Sequence, residues 1–344
     1  MRRSILPLLL ATLTSAAGGR GEAQSPHLLF VENTQGGDVS VIDGRTLTVV
    51  GTIPVGQTPE DIVAAPDGSV LYLSRIVRSA SGRPTGTGEV VAIDPATRAV
   101  TWRANFHGSP NHLAVSPDGK RVFVTIVSGD WVDVVDPATH AMVDSITVGT
   151  GPHDIEVTAD GRRLFVGLIR GTDVVEVEVA THRILRKIAV GDNVRPIALS
   201  SDERRLFVQL SRHHEFLVAD PESGEVLRHV AMPVPEGKSL PATMPIDVNH
   251  GLRVTRDGKF LLANGSIVDE TAIFALPSFT LVGTVPVGRD PNWITLSPDG
   301  SRAYVSNRGS DDVSVIDLRS RREIARIKVG QYPQRMAAVA IRGP

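Results

Sequence analysis

His153 and His250 stand at equivalent places in a phrase that recurs along the chain, and Arg195 holds the same place between them. Two imidazoles with a carboxylate can hold a first-row metal, and His213 and Glu215 of the segment "RHHE" (residues 212–215) would extend such a set. Metal binding needs neutral imidazoles, however, and a guanidinium between them repels a dication. The same trio attracts a carboxylate, phosphate or sulfate, because arginine presents a planar fork and histidine can donate a proton. An anionic group therefore fits these residues better than a metal. A carboxylate beside a histidine makes the acid–base pair that lactone hydrolysis or β-elimination requires, so His153, His250, Glu60 and Asp154 are the catalytic candidates.

The phrase itself reads "SPNHLAVSPDGKRVFVT" at 109–125, "GPHDIEVTADGRRLFVG" at 151–167 and "DPNWITLSPDGSRAYVS" at 290–306. Its framework repeats while two residues change. The first of each pair is Glu60, Asn111, His153, Arg195, His250, Asn292 or Gln334, and the second is Asp61, His112, Asp154, Pro196, Gly251, Trp293 or Arg335. Every first position is polar. One reading is that these side chains are merely solvated; the other is a ligand site made of Glu60, Asn111, His112, His153, Arg195, His250, Asn292, Trp293 and Arg335, converging from distant parts of the chain.

Convergence requires a ring, and the repeat supplies one. Six segments carry an Asp at the turn (Asp67, Asp118, Asp160, Asp202, Asp257, Asp299), followed by Gly in all but "DE" at 202–203. Asp-Gly suits a tight hairpin, alternating strands follow, and turns such as Asp94-Pro95 and Asp136-Pro137 lead to a last strand ending at Val-Gly. A period of roughly 40 to 50 residues with four antiparallel strands is one propeller blade. "HLLFVENTQGGDVSVID" begins with a second strand and lacks a first; "QYPQRMAAVAI" at 331–341 is a first strand and then stops. Together they complete a seventh blade. The expected fold is all-β, a seven-bladed propeller over 27–344, closed by N- and C-terminal strands in one sheet. Because strands alternate in direction, the variable pairs should lie round the mouth of the central channel. An insertion, "RIVRSASGRPTGTG" (75–88), and a long junction, "MPVPEGKSLPATMPID" (232–247), should lie on that same face.

With "YVSN" at 304–307 and the variants "FVTI" and "FVEN", the chain resembles the YVTN-repeat seven-bladed β-propellers over roughly residues 27–342. The resemblance implies the fold, and leaves function open among surface-layer proteins, DNA-contacting propellers, quinoprotein accessories, haem-binding propellers, lactonases and an antibiotic lyase. Two expectations follow: binding of a small anionic ligand or a partner protein in a periplasmic redox or catabolic pathway, or a lactonase-like hydrolase or metal-assisted lyase. No residue pattern names a cofactor.

The rest of the sequence bounds these options. There is no G-x-S-x-G elbow, phosphate loop, H-E-x-x-H or C-x-x-C-H motif, and with no cysteine there is neither a thiol nucleophile nor a disulfide. With 36 basic and 38 acidic residues, and Trp131 and Trp293 outside any basic stripe, nucleic acid is not an expected partner. Arg2-Arg3, an apolar run from Ile5 to Ala17 and small residues to Ala23 read as a signal peptide (1–23) for the general or twin-arginine route, giving a periplasmic or secreted monomer.

Overall fold

In a computed structural model describing residues 25–79 and 81–341, seven four-stranded antiparallel sheets form a ring, with no helix among the described residues. The expected signal segment lies outside the described residues. Blade one has the strand order Pro333–Ala340, His27–Asn33, Asp38–Asp43, Thr48–Pro54, so both ends of the ring share one sheet. Leu29 stands opposite Ala338 and Val31 opposite Met336. The other inner strands are Pro59–Ala64, Pro110–Val115, Pro152–Val157, Val194–Leu199, Leu252–Val254 and Pro291–Leu296, in blades two to seven.

The core sits between blades. Alternate side chains of a strand face opposite sides of its sheet, and here both sides are covered, so the middle strands are apolar on both faces. Phe30, Val41 and Ile53 of blade one pack with Ile62, Leu73 and Val91 of blade two, while Leu29, Val31 and Ile42 on its other face pack with Tyr304, Val313 and Val315 of blade seven. Each neighbouring pair of blades shares such a cluster, so the apolar layer runs round the ring. Trp131 belongs to this packing, against the layer between blades two and three.

The Asp-Gly turns form as their chemistry requires. Asp118 accepts from the Ser116 hydroxyl at 2.6 Å and the Lys120 N–H at 3.0 Å, and Gly119 takes a φ of 71° that a side chain would oppose. Blade five puts Glu203 there instead, at a φ of 56°. These turns cap one face of the ring. The connections entering the inner strands lie on the other.

Candidate functional site

Irregular pairing marks the variable residues. In blades two to five and seven, the register between first and second strands slips at the pair: between Pro59 and Asp61, Pro110 and Leu113, Pro152 and Ile155, Val194 and Ile197, and Pro291 and Trp293. A bulge frees a residue from the ladder and re-aims its side chain. The altered residues thus meet inside the channel. Rather than ringing a wet mouth, His112, His153, Asp154, Arg195, His250, Asn292, Trp293 and Arg335 are buried. Glu60 and Asn111 are half-buried, with Asn111 Nδ2 donating to Glu60 Oε2 at 3.4 Å.

Arg335, from the closing strand, reaches across the channel. Its Nη2 lies 2.7 Å from His112 Nε2 and 3.4 Å from Asp154 Oδ1, and its guanidinium carbon sits 3.2 Å from the Trp293 ring centroid. His112 Nε2 also meets His153 Nε2 at 3.2 Å, and His153 packs edge-on to His250. A guanidinium only donates, so His112 Nε2 must accept from it; this assigns the His112 proton to Nδ1, 3.4 Å from Asp61 Oδ2. His153 then donates through Nε2 to the same acceptor. Burial holds His112 and His153 far below the ordinary imidazole range, with Arg335 among the charges that reinforce it, and takes His250 down to about 3. All three rings are therefore neutral at pH 7.

Two of the carboxylates also tie blades together. Asp61 Oδ2 accepts the Leu113 N–H of blade three at 2.8 Å, and Asp154 Oδ2 accepts the Ile197 N–H of blade five at 2.8 Å. Burial raises both carboxyls, opposed by Arg335 and these backbone donors. Burial likewise pushes Glu60 up to about 8.

Both irregular segments of the sequence meet the entry side. The Ile76 N–H donates to Thr58 O at 3.0 Å, and Arg78 Nε to Thr58 Oγ1 at 2.6 Å. The junction between blades five and six brings Asp247 to Arg195 (3.7 Å) and to Arg308, which also holds Asp290 at 2.6 Å. His213 and Glu215 are engaged elsewhere, with Asp192 at 3.4 Å and His229 at 2.9 Å respectively. Among the described residues no three His, Asp or Glu side chains are grouped to hold a metal ion.

A cavity of about 500 Å³ lies beyond the Arg335 cluster, toward the Asp-Gly turn face rather than the loop-rich entry face where the site was expected. Its lining comes from the C-terminal halves of the inner strands and one turn, and includes Asp61, Asp154, Glu156, Arg253, Arg256 and Arg335, with Trp293 as its aromatic wall. Arg253 lies 5.4 Å from the Trp293 centroid and pairs loosely with Glu156, 3.9 Å away. Burial pushes Glu156 up to about 7, against the pull of Arg253. Exposed Arg256 has no hydrogen-bond or ion-pair partner among the described residues.

Glu156, Arg253 and Arg256 were missed in the sequence. The signal was two residues past each pair, where Val63, Ala114, Ala198, Thr295 and Ala337 are apolar or small but Glu156 and Arg253 are charged. Arg256 likewise stands where Pro66, Pro117 and Pro298 precede the turn Asp.

No protein-family model matches the chain, and neither does any functionally curated protein sequence. Solved structures do. The periplasmic gluconolactonase PpgL of Pseudomonas aeruginosa superposes with a TM-score of 0.74 at 21% identity, over 92% of this chain and 100% of that one. Kuenenia stuttgartiensis hydrazine synthase gives 0.71 at 21% identity, over 89% and 99%. A putative 6-phosphogluconolactonase of Bacteroides fragilis gives 0.73 at 17% identity, over 93% and 99%. At such identities the likeness establishes a shared propeller fold.

Proposed function

We propose that this protein is an exported propeller of the YVTN-repeat kind that binds a small anionic molecule in its central channel, from the Asp-Gly turn face. The observation that carries this reading is the gathering of Arg253, Arg256 and Arg335 round one cavity with Trp293 as its wall. Arg335 is already committed to Asp154 and His112, whereas Arg253 is only loosely paired and Arg256 is unpaired among the described residues. A carboxylate or sulfate can take bidentate hydrogen bonds from either. Export rests on the N-terminal Arg2-Arg3 and apolar run; no described helix is long and apolar enough to cross a membrane.

A second reading, a lactonase-like hydrolase, is favoured by one observation: the Glu156 carboxyl lines the same cavity as the three guanidiniums, where burial pushes it up to about 7. A group so poised can take a proton from water as its oxygen adds to a lactone carbonyl, then return it to the ring oxygen as the C–O bond opens. The guanidiniums would face the oxyanion. Glu156 suits the base role better than His153 or Asp154, whose Nε2 and carboxylate oxygens are already engaged. The similarity to a periplasmic gluconolactonase supports this reading.

Thermal shift and calorimetry with sulfate and D-gluconate test the binding site. Saturable binding that weakens about tenfold or more in Arg253→Ala and Arg256→Ala is expected; undiminished binding in both would overturn it. Release of acid from D-glucono-1,5-lactone above the spontaneous rate, abolished in Glu156→Gln, would select the hydrolase.

A further inference from the structure

The ion pair between Glu156 and Arg253 spans the cavity from blade four to blade six. Blade five, between them, contributes only Ala198 at the equivalent position, so no side chain there separates the two. At 3.9 Å the pair is loose, and the partners keep side-chain exposures of 27% and 34% toward the cavity, unlike the closed contacts round Arg335. Resting on the anion-site reading, we propose that Glu156 is a built-in substitute for the ligand's negative group, which displaces it from Arg253 on binding and leaves it to take up one proton.

The charges round Glu156 make this exchange cheap. Arg253 is its partner from blade six, Asp154 lies on its own strand, and Arg335, Asp61 and Arg256 line the same space. Without a ligand, Arg253 opposes the push of burial and of Asp154, and the carboxyl stands near 7. An arriving anion takes the guanidinium and adds a like charge, and both changes drive the carboxyl further up. Binding and proton uptake are then linked. Anion affinity is flat well below pH 7 and falls above it, by up to about tenfold per pH unit, until the raised value is passed. The buried imidazoles do not mimic this, because they titrate far below. A neutral ligand leaves the ion pair in place and shows no such slope, so the pair sorts anions from neutral molecules by pH.

Calorimetry with sulfate and D-gluconate, whose charges are fixed between pH 6 and 9, tests the inference in wild type and Glu156→Gln. Expected in wild type are an affinity falling through this range and uptake of close to one proton near pH 8, read from buffers of different ionisation enthalpy. The Gln variant, checked for an unchanged melting transition, should bind as tightly at pH 9 as at pH 6. A protonated-carboxyl infrared band should grow on adding sulfate to wild type at pH 8 and not to the variant. Equal pH slopes in the two proteins overturn the exchange while leaving the anion site standing; no saturable binding by either protein at any pH overturns both.

Discussion

The guanidinium of Arg335 lies over the indole of Trp293, its central carbon 3.2 Å from the ring centroid, and the two come from blades one and seven. This stacking holds the fork that donates to His112 and Asp154, so one side chain from the closing strand joins residues of four blades. Arg335→Ala should cost about 3–5 kcal/mol in denaturant unfolding, because it strands the buried Asp154 carboxylate. Arg335→Lys, which keeps the charge but loses the planar fork, should fall between that variant and wild type.

Asp61 accepts the Leu113 N–H of the next blade and the N–H of its own neighbour Ile62 at 2.7 Å. Asp61→Ala leaves both donors buried without their acceptor and should cost about 2 kcal/mol, measured by urea unfolding. Asp61→Asn retains one acceptor oxygen and should cost less.

Stability should be level between about pH 4.5 and 6.5, where His250 and Glu60 pull in opposite directions, and fall on both sides. His250 is held at about 3 against an ordinary 6.5, so below pH 6.5 the unfolded chain gains a proton that the folded chain refuses, and its contribution declines as pH drops toward 3. Glu60 stands at about 8 against 4.5; its contribution is complete below pH 4.5 and is lost as pH rises to 8. Thermal scans from pH 3 to 9 should show an acid limb made shallower by His250→Asn and an alkaline limb made shallower by Glu60→Gln.

Removing residues from Gln331 onward should destabilise the whole ring. The deletion takes away the inner strand of blade one, with buried Met336, Ala337 and Val339, and exposes the apolar layers toward blades two and seven. A loss of roughly 5 kcal/mol or more is expected from that burial. A melting curve indistinguishable from that of the intact chain would refute it.

The ring was legible because its causes are local and repeated. Asp-Gly turns, alternating apolar residues and the split blade at "HLLFVEN" and "QYPQRMAAVAI" each act within a few residues. The site was legible only in part. Naming the variable pair found Arg335, His112, His153, Asp154 and Trp293, which do converge, but alternation alone could not reveal that bulges turn them inward to be buried by one another. Glu156 and Arg253 escaped because they lie two residues past the pair, at strand positions that the other blades fill with apolar or small residues. Their significance lies in contrast with small residues at the same place in other blades, and in a pairing across blade five that depends on the diameter of the ring.

The Arg335 cluster stands across the bore of the propeller, between the entry connections and the chamber on the Asp-Gly turn face. A solute held there would arrive and depart by the turn face, so occupancy by one molecule would bar the next. Were the chamber a reaction vessel, departing acid and incoming lactone would contend for the same path, and accumulated product would slow turnover by obstruction alone.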